Sequence, residues 1–257
     1  MSKTLRLLGV GWLFQFKQMS RSSFDSFLAI CWPIFFATVA FFMFRQGGKP
    51  DALIYAGLGA AVMGIWTATS VAAGSALQRE RWYGTLELLV AAPTHFSLVL
   101  LPIGLATASI GVYCMAATIL WGRFVFGIDL PIDRPLLMAL AIPATLLSIG
   151  ALGFLIAVAF ARFRYAWAIG SMTEYPIWLI CGFLVPLTLL PDWVPPISWL
   201  LAPTWGMNAI RESSTGGTPL PDVAMCFALG SLYIVLGVIG TEFVLRAARA
   251  KASLSLT

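Results

Sequence analysis

Six stretches of this chain are long and apolar enough to be solvated by lipid: residues 27–44, 52–77, 96–122, 135–161, 165–190 and 223–241. A helix needs about 20 residues to cross a hydrocarbon layer roughly 30 Å thick. Five of the six contain no charged side chain, and the exception, 165–190, contains Glu174 alone. Hydrophobic residues make up 60% of the chain and charged residues 11%, against roughly 25% charged in a soluble domain. A water-soluble fold of 257 residues could not hide that much apolar surface. The pattern excludes a soluble enzyme, a disordered tail and a disulfide-rich secreted scaffold. It predicts an all-α polytopic membrane protein, one domain over residues 1–257, with six transmembrane helices.

Orientation follows from the basic residues. With both termini cytoplasmic, the inside holds Lys3, Arg6, Lys17, Arg21, Arg79, Arg81, Arg162, Arg164, Arg246, Arg249 and Lys251, and the outside holds Arg45, Lys49, Arg123, Arg134 and Arg211. Eleven against five is a clear positive-inside bias. The net charge of +5 therefore reports topology and anionic lipid, and no soluble basic domain is present that would suit nucleic acid.

Between the fifth and sixth stretches, residues 191–218 contain a second apolar run, 193–210, interrupted by Pro195, Pro196 and Pro203. Were it to cross, Arg246, Arg249 and Lys251 would face outward. It reads instead as a re-entrant or interfacial helical hairpin on the outer side, with Trp193, Trp199 and Trp205 near the headgroups. At the other end of the chain, Leu5, Leu8, Trp12, Phe16 and Met19 recur at three- and four-residue spacing beside Arg6, Lys17 and Arg21. That pattern predicts an amphipathic helix within residues 1–24, lying in the cytoplasmic interface. The N-terminal stretch does not read as a secretory signal, because basic residues continue to Arg21 with no small-residue cleavage site after a short apolar core.

Several chemistries are missing. There is no G-x-x-x-x-G-K-[S/T] phosphate loop, so ATP is not bound by this chain in that manner. His95 is the single histidine, leaving no zinc site, proton relay or serine–histidine pair to build. Cys31, Cys114, Cys181 and Cys226 all fall inside apolar stretches without disulfide or metal spacing and behave as small apolar residues. The expectation is a chain that is not itself an enzyme, with no metal and no cofactor of its own.

The most informative segment joins the second and third stretches: Gln78-Arg79-Glu80-Arg81-Trp82-Tyr83-Gly84-Thr85-Leu86-Glu87-Leu88-Leu89-Val90-Ala91-Ala92-Pro93-Thr94. On a helical wheel Trp82, Leu86 and Leu89 share one face, and Glu80, Gly84 and Glu87 the opposite one. Pro93 disfavours helix through Ala92, which predicts a helix of about three turns. A short amphipathic cytoplasmic helix between two spans is a mechanical handle.

The run Arg79-Glu80-Arg81-x-x-Gly84-Thr85-Leu86-Glu87-Leu88-Leu89-x-Ala91-x-Pro93 resembles the signature of the type-2 ATP-binding-cassette permease family, whose members serve drug, polysaccharide and lipid export. The N-terminal helix, the six stretches and the outer segment from Leu190-Pro191-Asp192-Trp193 through Pro203-Thr204-Trp205 and Asn208-Ala209-Ile210-Arg211 fit the same pattern over nearly the whole length. Trp82 and Tyr83 depart from it, being bulkier than the family's loop. The resemblance implies that residues 78–94 are a coupling loop docking into a cleft of a separate ATPase subunit, with Arg79, Glu80, Arg81, Gly84, Thr85, Leu86 and Glu87 as the coupling residues. It also implies two permease copies, identical or related, paired with two ATPases that bind the ATP and Mg. The function it implies is the permease of an exporter in a bacterial inner or plasma membrane, moving a small amphiphile such as a drug or antibiotic, or a lipid or lipid-linked glycan.

Glu174 is the second candidate. It lies about ten residues into its stretch, near mid-membrane at 1.5 Å per residue. An ionised acid there costs on the order of 3 kcal/mol, and no Lys or Arg lies within any of the six stretches to pair with it. It must be protonated, reach water, or meet polar partners. One reading places it on the substrate path, and the other makes it a hydrogen-bonded structural acid beside Pro176. Two rival functions remain at this point: an ion-coupled secondary transporter with Glu174 as proton carrier, and a non-transporting scaffold subunit.

Overall fold

The computed structural model describes residues 3–21, 23–45, 50–82, 84, 95–128, 132–160 and 166–251. Every regular element among them is helical: α1 (Lys3–Arg21), α2 (Ser23–Arg45), α3 (Pro50–Trp82), α4 (Ser97–Phe126), α5 (Pro135–Phe160), α6 (Ala166–Ile180), a 3₁₀ turn (Leu187–Leu189), α7 (Val194–Ser198), α8 (Ala202–Thr215) and α9 (Leu220–Lys251). The boundaries carry local signals. Pro135 opens α5, where a missing N–H costs nothing. Gly127 and Gly216 close α4 and α8 in the left-handed conformation.

Four helices among the described residues are long and apolar enough to cross a membrane: Leu53–Ser70 within α3, Ser97–Phe126, Pro135–Ala159 and Leu220–Val244 within α9. They match four of the six stretches read from sequence. The first stretch forms α2, whose apolar run among the described residues is Pro33–Met43. The fifth departs from expectation. A continuous helix to residue 190 is not formed; α6 stops at Ile180, ten residues early, for a reason given below.

α3 is the most buried of the four long apolar helices and packs against α2, α4, α5, α6 and α8. In its Leu53–Ser70 window 78% of positions are buried, against 33% in the Leu220–Val244 window of α9. The second helix is therefore peripheral. It turns Phe227, Leu232, Val235, Leu236, Ile239 and Phe243 outward, a face too extensive for water and suited to acyl chains. Without a hydrophobic drive between helices in lipid, close backbone approach holds such a bundle together. α4 and α5 cross where Gly104 meets Gly150, and a Cβ on Gly104 would stand 2.5 Å from the Gly150 carbonyl oxygen.

α1 lies along α4. The Trp12 indole N–H donates to Ser109 Oγ at 3.1 Å, Trp12 stacks on Phe16, and Phe16 on Tyr113. Trp12 and Phe16 thus make the contacts expected of the apolar stripe, but Leu5 is exposed, and so are Leu7, Val10, Leu13 and Phe14. The helix is apolar on two sides because one side meets the bundle and another is left to lipid. The single-stripe wheel captured only the first.

Residues 191–218 fold as α7 and α8 with a turn between them. Tyr233 on α9 fixes that turn, its hydroxyl donating to Leu200 O at 2.6 Å and accepting the Ala202 N–H at 3.1 Å. Ser198 and Thr204 pair their hydroxyls at 2.9 Å beneath it. The start of α5 is tied to the end of α8 through Arg134 N–H to Ser213 O at 3.1 Å. The start of α3, the end of α6 and α7–α8 share one end of the bundle, called the hairpin end below. The last turn of α3 and the first of α4 form the other, the loop end. The described thiols are all free, with Cys114, Cys181 and Cys226 buried.

Candidate coupling loop and buried polar site

At the loop end, α3 continues well past its apolar window to Trp82, so Arg79, Glu80 and Arg81 belong to its last turns. Gly84 follows with φ +68, exposed to solvent. A left-handed residue interrupts an α-helix, which departs from the expectation of a single helix of about three turns with Glu80, Gly84 and Glu87 on one face. Thr85, Leu86 and Glu87 lie outside the described residues, as does the rest of 85–94. The chain is next described at exposed His95 and buried Phe96, whose carbonyls accept the first N–H groups of α4. α3 and α4 are the most extensively packed helix pair.

Glu174 sits on the face of α6 that packs on α3. The two helices run antiparallel, with Gly170 against the Ser70 carbonyl, Glu174 against Thr67 and Gly182 against Tyr55. The Thr67 hydroxyl donates to Glu174 Oε1. Only 3% of Glu174 is exposed, so in this conformation the carboxyl is enclosed by protein and supported by a hydrogen bond, as a buried polar group requires. One turn farther along α6, Trp178 stands edge-on to Phe36 at 4.8 Å and to Tyr175 at 5.1 Å. The buried indole N–H groups of Trp66 and Trp178 have no hydrogen-bond partner. No group of three or more metal-ligating side chains occurs among the described residues.

At the hairpin end lies a cluster that sequence reasoning missed. α6 ends in a Schellman motif: Gly182 adopts φ +71, its N–H bonds to Leu179 O at 3.1 Å, and the Phe183 N–H bonds back to Trp178 O at 3.1 Å. The next carbonyls are taken by Arg211 from α8. One guanidinium nitrogen donates to Gly182 O and another to Phe183 O, both at 3.0 Å. The guanidinium carbon stands 3.2 Å from the centroid of the Tyr55 ring, and the Tyr55 hydroxyl donates to Gly182 O at 2.7 Å. This is why α6 stops at Ile180. Gly182 supplies the left-handed turn, and a half-buried cation replaces the water that would otherwise solvate the Gly182 and Phe183 carbonyls just beyond the helix. Charge counting placed Arg211 among ordinary outside cations. The legible signal was Gly182 set inside an apolar run, a helix stop in search of a donor.

Comparison with known families follows the same lines. A family described as "ABC-2 type transporter" matches residues 6–214, which runs from the first turn of α1 to the last of α8 and includes the loop at 78–94. No curated protein matches the sequence. The apolar helices make the chain a multi-pass membrane protein, and the family's membrane component works with an ATPase partner and is not the ATPase itself. By a match over most of its length, this chain belongs to the ABC-2 type transporter family as a transmembrane transport component.

Proposed function

We propose that the chain is the permease subunit of an ATP-driven exporter. The observation that carries this reading is the family match over residues 6–214 in a chain with no phosphate loop of its own. Energy then comes from a separate ATPase, which supplies ATP and Mg binding and prefers one arrangement of the bundle over the other, as any partner that drives a conformational change must. The coupling site is the loop 78–94, with Arg79, Glu80, Arg81, Gly84, Thr85, Leu86 and Glu87 facing the ATPase. Its position between the two most tightly packed helices supports the role. The bundle has six spans, with α2 and α6 completing the four long ones, α1 in the cytoplasmic interface and α7–α8 re-entrant from the outside. Both termini are cytoplasmic. Two permease copies, identical or related, pair with two ATPases in a bacterial inner or plasma membrane.

The cargo is a small amphiphile such as a drug or antibiotic, or a lipid or lipid-linked glycan. The described connections are short and leave no separate carbohydrate-recognition domain, which favours the first. The complex is tested by isolating the tagged chain from its native membrane in mild detergent. An ATP-hydrolysing protein should co-purify, and deleting that protein should abolish transport. Transport that survives the deletion and follows the proton gradient would establish the ion-coupled alternative.

Glu174 contributes to the substrate path in this reading, exposed when α6 and α3 shift. Gln keeps an acceptor for Thr67 and nearly the same shape, so Glu174→Gln should insert and fold as the parent does. Efflux of a cationic dye such as ethidium should fall roughly tenfold, with a neutral amphiphile unaffected. Unchanged ethidium efflux would leave the carboxyl a purely structural role.

A further inference from the structure

The end of α6 is held by more than a helix terminus needs. The Schellman bonds already occupy the Trp178 and Leu179 carbonyls. Arg211 adds charge-assisted donors on Gly182 O and Phe183 O, at 3.0 Å each, and sits over the Tyr55 ring while the Tyr55 hydroxyl bonds the same Gly182 oxygen. One planar cation therefore joins α3, the end of α6 and α8. Lysine could reach one of those carbonyls but could neither fork to both nor stack. The backbones are in equally close contact, since Gly59 of α3 lies against the Phe183 carbonyl with no room for a side chain. Toward the loop end the character of α6 changes. Pro176, inside the helix, cannot donate to the carbonyl four residues earlier, so the helix is most pliable there and not at its clamped end.

We propose that Arg211 is a positioning residue of the transport cycle: it joins the hairpin ends of α3 and α6 to α8 as one block that stays closed while the bundle changes shape. The proposal rests on the transport reading above. Movement imposed at the loop end then passes along α3 to the hairpin end without loss to slippage between α3 and α6. Bending is taken up on the loop side of Pro176.

Cys181 is a built-in reporter, next to Gly182 and only 2% exposed. With Cys31, Cys114 and Cys226 replaced by alanine, its reaction with N-ethylmaleimide is followed by mass spectrometry on the permease–ATPase complex in lipid nanodiscs. Without nucleotide, Arg211→Ala should raise the labelling rate on the order of 100-fold, since two charge-assisted bonds are lost. Arg211→Lys should recover little of the protection, and Tyr55→Phe, which keeps the ring and loses one bond, should cost less. During ATP turnover the chain with Arg211 intact should remain as protected as without ATP. Labelling that rises during turnover would overturn the proposal, because the block would then open. Unchanged labelling in Arg211→Ala would do the same. Should Arg211→Ala not be recovered folded, Arg211→Lys and Tyr55→Phe carry the comparison in the same way. Failure of any ATPase to co-purify would instead sink the transport reading, while the nucleotide-free series still decides whether Arg211 makes the block.

Discussion

Replacing Gly59 with alanine should prevent the bundle from assembling. A Cβ at this position would stand 1.7 Å from the Phe183 carbonyl oxygen and 2.7 Å from its carbon. The obstacle is backbone, so no side chain can swing aside. The helices would have to separate by more than an ångström at the point where Arg211 and Tyr55 bind the same turn, breaking contacts that depend on this spacing. A cost above about 4 kcal/mol is expected, a large part of the roughly 5–15 kcal/mol available to a folded chain. Gly9→Ala is the control. Gly9 lies in α1 with nothing within 4 Å of its would-be Cβ, and alanine there should stabilise the helix by up to about 1 kcal/mol. Thermal unfolding and size-exclusion profiles of the two variants in detergent provide the comparison. A Gly59→Ala protein that is monodisperse and melts with the parent would show that α3 and α6 do not touch as described.

Reversing the charge of Glu87 should uncouple the permease from its motor without disturbing the membrane fold. If residues 78–94 dock on an ATPase, Glu87→Arg places a cation where the partner surface was matched to an anion. Disrupting a buried, hydrogen-bonded charge pair at an interface typically costs about 2–5 kcal/mol, so transport-coupled ATP hydrolysis should fall on the order of 100-fold. Membrane insertion and melting temperature should not move. Glu242→Arg is the matching control. Glu242 is exposed in the second half of α9 and pairs with Arg246, at 3.5 Å one turn away, a surface pair of little value. Equal activity of Glu87→Arg and Glu242→Arg would remove the loop from the coupling site.

The expected helices and the observed ones agree where local physics decides. The stretches at 96–122 and 135–161 became α4 and α5 within a few residues, because a long charge-free run in lipid has no alternative to satisfying its backbone internally. Agreement failed where a residue's conformation depends on something distant in the chain. The wheel placing Glu80, Gly84 and Glu87 on one face assumed that Gly84 continues the helix, and its left-handed φ interrupts it. The stretch at 165–190 read as one continuous span despite Glu174 and Gly182 within it. Yet its helix stops at Ile180, where Gly182 turns left-handed and a guanidinium 29 residues further along the chain takes the Gly182 carbonyl.

Glu174 shows the same division. Its sequence position said that an acid in an apolar run must find a polar partner, but Thr67, 107 residues away, is a pairing that only the antiparallel register of α3 and α6 creates. Solvent, helix positions and family membership were therefore legible in the order of the residues, because hydropathy and backbone hydrogen bonding act over one or two turns. Which helix sits at the centre, where α6 stops and what Arg211 and Glu174 touch were settled by packing alone. Those outcomes depend on close approach between segments that share no local signal.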